Sequence, residues 1–271
     1  MAVLRLSFTN LAAAAAACSA AASDQVSGFC ASEAQAPQRP FRTWRTPTTT
    51  TTAEWLVDFG SSQTLDVVAL INANFTSATI QGASSSGLFA APGYNEAVAL
   101  ARNPLTWRFQ HVHLTTNFGY RWLRIKVDAC SVACTGATST YNALGGVWAG
   151  VLTSAPSHLQ WDATFRTILP HQDVGPQHGG WVQRLKQGEP RAQIAGTLSA
   201  NVTPSTPLSG DDADTWSDLI RQAISADAVL VYTALGDPAQ GYVARWRDDV
   251  DWRLEGTRAT LPATFDEVVG P

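Results

Sequence analysis

Strict alternation of polar and apolar residues restricts the fold of this chain more than any other feature. Across residues 120–127 one side of a strand would carry Leu123, Ile125 and Val127, and the other Trp122, Arg124 and Lys126. Residues 107–114 alternate in the same way. A period of two is typical of a pleated strand, whereas a helix repeats about every 3.6 residues. Both segments therefore predict β-strands with one buried face.

Further strand candidates follow one another along the chain, with polar turns between them. They cover residues 3–8, 54–59, 65–71, 79–84, 144–152, 192–200, 228–233, 242–246, 250–254 and 260–268. The run 65–71 is almost continuously apolar, which predicts a strand buried on both faces. Gly60, Ser61 and Ser62 are expected to break the strand that precedes it. Many short strands separated by turns indicate a β-sandwich.

One segment has helical periodicity. Between residues 211 and 225 apolar side chains recur at helical spacing, namely Trp216, Leu219, Ile220, Ala223 and Ile224.

At 271 residues the chain is longer than a usual single domain of roughly 100 to 200 residues. Proline and serine punctuate residues 154–157. We therefore expect two domains, 1–154 and 155–271, the second combining a β-sandwich or barrel with one packed helix.

Charge and composition argue against several classes of partner. The net charge is −4 and the basic residues do not cluster, so a nucleic-acid partner is not expected. The stretch 11–22 is rich in alanine where an export signal has leucine, and only Arg5 precedes it as a basic residue, so a secretory signal is not expected. The stretch is also too short to cross about 30 Å of hydrocarbon, so membrane insertion is not expected.

Motifs that would identify an enzyme are missing from the sequence. There is no Gly-x-Ser-x-Gly nucleophile elbow, and neither of the two glycine-rich nucleotide-binding motifs is present. Residues 82–87 (GASSSG) lie between strand candidates and are interpreted as a turn. We predict no catalytic residue and no cofactor.

Two pairs of histidines permit a metal or acid–base interpretation. His111 and His113 stand two apart on one face of a predicted strand, where a third ligand could complete a metal site. A polar or partly covered sheet face is the favoured alternative. His171 and His178 flank Asp173 in a loop rich in glycine and proline, where solvated side chains are favoured. No metal site is assigned.

Paired carboxylates and cysteines also permit more than one interpretation. The pairs 211–212 and 248–249 (Asp211, Asp212, Asp248 and Asp249) could serve as glycosidase carboxylates or calcium ligands. A helix start and a turn, however, favour aspartate without any such role. The four cysteines permit disulfides or a zinc site, but free or loop-pinning thiols are favoured because a zinc knuckle has a tighter spacing. They are Cys18, Cys30, Cys130 and Cys134.

Five segments carry a resemblance to a known family. They are 42–45 (RTWR), 54–61 (EWLVDFGS), 65–74 (LDVVALINAN), 120–125 (YRWLRI) and 145–150 (GGVWAG). In this order they resemble the galactose-binding-like (discoidin-type) domains of bacteriophage tail-tip proteins, over about residues 1–154. Residues 155–271 are similar in general character to the C-terminal parts of such proteins. The resemblance implies an all-β fold, with an N-terminal galactose-binding-like jelly roll followed by a β-rich, ring-forming tail-assembly domain.

The resemblance also implies a function and a location. It identifies a distal or minor tail protein of a long-tailed phage, made in the bacterial cytoplasm and carried in the virion. Such a protein forms a homo-oligomeric ring around the tail tube, meets tube, hub and fibre proteins, and offers its jelly roll to host-surface glycan. Rings need edges that close under rotation, and β-sandwiches supply them. Ala73 and Gly146 stand where these domains often have histidine and arginine, so no sugar-binding residue is carried over.

Two other functions remain open. A carbohydrate-binding module of a glycan-active protein would present exposed aromatic side chains, such as Trp44 and Trp148, as a sugar-stacking platform. At least half of the ten tryptophans are nevertheless expected in the core. An enzyme that uses the histidine or aspartate pairs is the third alternative.

Overall fold

A computed structural model describes most of the chain. The described residues are 4–15, 17–35, 43–49, 51–102, 109–129, 140–154, 164–168, 171–177, 181–186, 191–201, 211–226, 228–232, 241–247, 253–255 and 258–267. Within them lie eighteen β-strands, two α-helices and three 3-10 helices.

The strands are β1 Arg5–Ser7, β2 Ala17–Ser19, β3 Trp44–Arg45, β4 Ala53–Ala73, β5 Ser77–Ala83, β6 Tyr94–Ala99, β7 Ala101–Arg102, β8 Phe109–Val127, β9 Ala143–Gly150, β10 Thr153–Ser154, β11 Thr164–Ile168, β12 His171–Gln177, β13 Trp181–Lys186, β14 Arg191–Asn201, β15 Val229–Tyr232, β16 Gly241–Trp246, β17 Arg253–Glu255 and β18 Arg258–Glu267. The α-helices are α1 Leu11–Ala14 and α2 Asp211–Ser225. The 3-10 helices are Ala22–Asp24, Ala31–Gln35 and Ser86–Ala90.

The first half of the chain forms a two-layered sandwich around one long antiparallel ladder, in which β4 pairs with β8. The first part of β4 also pairs with β2 and the last part with β9, while β8 pairs with β7 near its start and with β5 near its end. Both long strands therefore pass through both layers. The core between the layers includes the buried side chains Trp44, Trp55, Val68, Leu70, Ile80, Leu123, Ile125 and Leu144.

The long ladder changes register between Asp58 and Gln63. Gly60 lies in this irregular stretch with a φ of +80°, a backbone conformation that glycine adopts at little cost. Its N–H donates to the Asp58 carboxylate over 2.8 Å. The expectation that residues 60–62 end the strand is wrong, because the extra residues are accommodated as a bulge and β4 continues to Ala73.

The second half supplies a second antiparallel sheet. Its strand order is β10-β1-β15-β16-β18-β14-β11, with β17 paired to β18. β1, from the start of the chain, pairs with β15, so the N-terminal strand lies in this second sheet. The division of the chain into domains 1–154 and 155–271 stays a prediction. The strands β12 and β13 form a separate two-stranded hairpin.

The second sheet packs against the outer face of one layer of the sandwich. This contact, called here the intersheet interface, buries Val67, Ala69, Ile71, Val112 and Trp148 of the sandwich together with Ala228, Leu230, Tyr232 and Val243 of the second sheet. The Trp148 indole N–H donates to Ser7 Oγ over 3.0 Å. A Cβ on Gly150 would lie 2.6 Å from Ser7 Oγ. Glycine at this position therefore permits the close approach of β9 and the segment that carries Ser7. The run 65–71 is therefore buried on both faces, as its composition predicts.

Helix α2 covers the opposite face of the second sheet. Trp216, Leu219, Ile220 and Ala223 are buried against it. Ile224, predicted to belong to the same apolar stripe, is 56% exposed. At about 100° per residue it falls at the edge of the stripe rather than at its centre. The helix bounds agree with the prediction, and the prediction of a mainly β fold with a β-sandwich and one packed helix is confirmed.

The layers therefore follow one another as sandwich layer, sandwich layer, second sheet and helix. In the described part of the chain no helix is both long enough and apolar enough to cross a membrane.

The intersheet interface predicts a large stability cost for Trp148→Ala. We expect the free energy of unfolding to fall by about 3–5 kcal/mol, because a buried indole is lost and a cavity remains. The measurement is urea denaturation followed by circular dichroism. Trp122→Ala is the matched control, since Trp122 lies on the solvent side of β8 and is partly exposed; its cost should be about 1 kcal/mol. Equal losses for both variants would contradict the role given to the interface.

Candidate functional site

The two tryptophans expected to form a sugar-stacking platform are buried. Trp44 is 0% exposed and lies in the core of the sandwich. Trp148 is 3% exposed and lies in the intersheet interface, where its indole already donates to Ser7. The expectation that either tryptophan faces a ligand is therefore wrong, because both indoles are used for packing.

His111 and His113 do share one face of β8, as their spacing predicts. Their rings stack with centroids 5.9 Å apart, and Nε2 of His113 lies 2.5 Å from the Tyr94 hydroxyl. Burial lowers the pKa of His113, against a smaller opposing effect of Glu96, and burial raises the pKa of Tyr94 to about 12. Among the described residues no three His, Cys, Asp or Glu side chains come together as metal ligands. The pair therefore forms a polar margin of the core.

The remaining candidates are spread over the second half and the N-terminal segment. His171 and Asp173 begin β12, opposite Lys186 and Arg184 of β13, and Asp211 begins α2. The other residues singled out in the sequence lie outside the described part of the chain: His178, Asp248, Asp249, Cys130 and Cys134.

Two cysteines are described, and both are free thiols. Cys18 is partly buried on β2, and burial raises the pKa of its thiol to about 12. Cys30 is exposed. A thiol with a raised pKa is a poor nucleophile at neutral pH, so Cys18 has the character of a packing residue.

Arg124 organises a polar network on the outer face of the sandwich. Its guanidinium donates to Gln81 Oε1 over 2.6 Å and to Glu54 Oε1 over 2.7 Å. It also donates to the backbone oxygen of Phe89 over 3.0 Å and lies 4.3 Å from the centroid of that ring. Gln81 in turn donates to Asn95. Because Arg124 contacts both the backbone and the ring of Phe89, the network fixes the 3-10 helix Ser86–Ala90 onto the sheet.

A second charged pair lies further along the same strand. Arg121 donates twice to Asp58, with both distances 2.7 Å. The hydrogen bond from Arg121 is the main cause that lowers the pKa of the Asp58 carboxyl. The guanidinium carbon lies 5.9 Å from the Trp122 ring. Here too the arginine has its carboxylate partner within the protein.

Arg45 is held differently, between two aromatic rings. Its guanidinium carbon lies 3.9 Å from the centroid of Phe29 and 5.1 Å from that of Tyr141. The Nε–H donates to Thr43 Oγ1 over 2.9 Å. Arg45, Phe29 and Tyr141 are called here the Arg45 stack. All three side chains are partly exposed. The stack is an aromatic and cationic surface on the sandwich.

The backbone explains how these side chains come together. In β3 the residue before Arg45 is the buried Trp44, so strand alternation turns Arg45 outward. The N–H of Arg45 donates to the Phe29 oxygen and its own oxygen accepts from Val26, which fixes one ring beside it. On the other side Arg45 pairs with Ala143 at the start of β9, two residues after Tyr141. The arginine therefore lies between two backbone segments that each present one ring.

No protein-family model matches the sequence, and no curated protein matches it. Solved structures are similar over about half of the chain. The lectin domain of lectinolysin, seen with Lewis b antigen, is 14% identical over 52% of this chain and 95% of that domain, with a TM-score of 0.39. A Streptococcus pneumoniae fucose-binding module is 10% identical over 52% and 96%, with a TM-score of 0.39. A chitosan-binding module of a Paenibacillus chitosanase/glucanase is 21% identical over 52% and 98%, with a TM-score of 0.36.

Burial of His113 predicts that the protein loses stability in mild acid. Its pKa in the folded state is below the ordinary value of 6.5, so the unfolded chain binds this proton more readily. The stabilising contribution is present above pH 6.5 and is lost as the pH falls through the folded-state pKa. His113→Gln should flatten this part of the curve, measured by thermal melting between pH 7 and 5. A His113 pKa at or above 6.5 in an NMR titration would contradict the prediction.

Proposed function

We propose that this protein is a non-catalytic glycan-binding protein whose sandwich recognises saccharide at the Arg45 stack. The observation that carries the proposal is an arginine held between two partly exposed aromatic rings on the surface of the sandwich. Contact with glycan is common to the tail-tip resemblance and to the alternative of a carbohydrate-binding module.

The chemistry of the stack suits a sugar. A saccharide ring offers C–H groups on its faces and hydroxyl oxygens around its edge. Aromatic rings such as Phe29 and Tyr141 pack against the apolar faces, and guanidinium N–H groups donate to the oxygens. Because Thr43 and the two rings already hold Arg45, little side-chain freedom is lost on binding.

The rest of the molecule is arranged to support such a site. The second sheet covers one outer face of the sandwich through the intersheet interface. Of the β8 arginines, Arg121 is engaged by Asp58 and Arg124 by Glu54. The Arg45 stack belongs to neither of these sets, and it keeps its rings partly exposed.

Glycan binding can be measured on the whole chain with a saccharide array, followed by calorimetric titration of the strongest binder. We expect Tyr141→Ala to weaken that binding about fivefold, the loss of one aromatic contact worth roughly 1 kcal/mol. Trp122→Ala, which removes a partly exposed ring beside the Arg121–Asp58 pair, should leave it unchanged. The reverse pattern would move the site to the sheet face, and no binding to any saccharide would contradict the proposal.

A second candidate function, a subunit of a tail-tip ring, is favoured by the hairpin of β12 and β13. Among the described strands these two pair only with each other. A two-stranded hairpin is marginally stable by itself in water, so it would gain from packing against a neighbouring subunit. The hairpin is inserted between β11 and β14, and β11 forms an edge of the second sheet. An exposed edge is a ready surface for heterologous contacts that close into a ring.

Light scattering distinguishes the two candidates. A ring subunit has a solution mass that is a multiple of the chain mass of 28.9 kDa, whereas a separate binding module has the mass of one chain. Ile168 and Arg191 are directly opposite each other, so residues 169–190 can be replaced by Asn-Gly, which closes a tight hairpin. For a ring this variant should be monomeric, with a β-sheet signal reduced only by the loss of β12 and β13. A monomeric parent protein at high concentration would contradict the ring.

A further inference from the structure

We infer that the Arg45 stack binds the carboxylate group of an acidic saccharide, such as a uronic or sialic acid residue. This inference rests on the proposed glycan-binding function and specifies its ligand. It follows from which donors of Arg45 are engaged within the protein and which are not.

The arginines that lie over aromatic rings can be compared within the described residues. Arg121 has both oxygens of Asp58, and Arg124 has Glu54. Arg45 makes the shortest of these ring contacts, at 3.9 Å, yet no described carboxylate forms an ion pair with it. Both other ring-stacked arginines among the described residues have a carboxylate partner. The missing partner of Arg45 is therefore the group that a ligand would supply.

The donors of Arg45 have a fixed orientation. A guanidinium carries five N–H donors in a plane, and the one on Nε is directed to Thr43. The four N–H groups on the two terminal nitrogens have no acceptor among the described residues. Two parallel N–H groups match the two oxygens of a carboxylate, which gives a bidentate, charge-assisted pair.

The rings determine what else the ligand carries. A carboxylate bound edge-on to the guanidinium places the atoms attached to it next to Phe29 and Tyr141. Sugar C–H groups would contact the parts of these rings that stay exposed beside the guanidinium, whereas a small inorganic anion would not reach them. The rings also hold the guanidinium in place before binding, through cation–π contacts at 3.9 Å and 5.1 Å. The combination therefore favours a sugar acid over a free anion.

The test compares acidic and neutral probes on the whole chain. Sialyllactose and digalacturonate are titrated calorimetrically alongside lactose, and sodium sulfate is used as a competitor. We expect one of the acidic probes to bind at least about tenfold more tightly than lactose, because a hydrogen bond to a charged carboxylate is stronger than one to a neutral hydroxyl. Which acid binds distinguishes the two sources of the carboxylate.

Variants locate the effect. Arg45→Gln should reduce the preference for the acidic probe to about one, and Arg45→Lys should retain only part of it, since lysine keeps the charge without the planar fork. Arg121→Gln is the matched control, because it removes another exposed arginine beside a ring and should leave the preference intact. Unchanged melting temperatures and near-UV spectra show that each variant is folded.

The contrary results are distinct from one another. If only neutral saccharides bind, or if the acidic preference survives Arg45→Gln, the inference is wrong while the glycan-binding function stands. If sulfate displaces the acidic saccharide at equal concentration, the site is a general oxyanion site and the inference is also wrong. If no probe and no arrayed saccharide binds, both the function and the inference fail.

Discussion

The rest of the structure depends on the packing of the sandwich against the second sheet. A layer of an antiparallel sandwich normally has its outer face in water. Apolar and polar residues then alternate along each of its strands. Here that face carries Val67, Ala69 and Trp148, and it is covered by Leu230 and Val243 of the second sheet. The contact explains why β4 is apolar on both faces over this stretch and why a tryptophan near the end of the sandwich is unavailable to a ligand. The ligand site that we propose therefore lies outside the intersheet interface.

The sequence predicts local elements well because each depends on a periodicity that one strand or helix carries by itself. Residues 120–127 bury Leu123, Ile125 and Val127, as their alternation indicates, and the helix has the predicted bounds. The pairing of strands that are distant in sequence could not be predicted in this way. Nothing in the short segment at the start of the chain shows that β1 pairs with β15, more than two hundred residues away in sequence. Likewise, the sequence of residues 60–62 within β4 indicates a break in the strand. Pairing with β8 on both sides of these residues instead accommodates them as a bulge.

The candidate site was predictable only in part, for the same reason. The segment RTWR marks Arg45, and its position next to an apolar tryptophan in an extended stretch is enough to place it on the outer face. Phe29 and Tyr141, however, come from stretches without a period, one before β3 and one before β9. Their contacts with Arg45 arise through space from two different backbone pairings. A count of tryptophans directs attention to the largest aromatic residues, and in this fold their size is what places Trp44 and Trp148 in the interior.

The presence or absence of a carboxylate partner, rather than exposure, distinguishes the arginines of the sandwich as candidates for ligand recognition. Arg121 is well exposed, at 44% of its side chain, but Asp58 occupies its fork with two short hydrogen bonds. A ligand acid would have to displace a carboxylate that is already positioned, so little free energy would be gained. Arg45 has no such competitor among the described residues, and its rings replace the ordering that an ion pair would otherwise provide. An arginine held by aromatic rings stays oriented yet unneutralised, and this combination is the reason why we propose that the Arg45 stack selects a charged sugar over a neutral one.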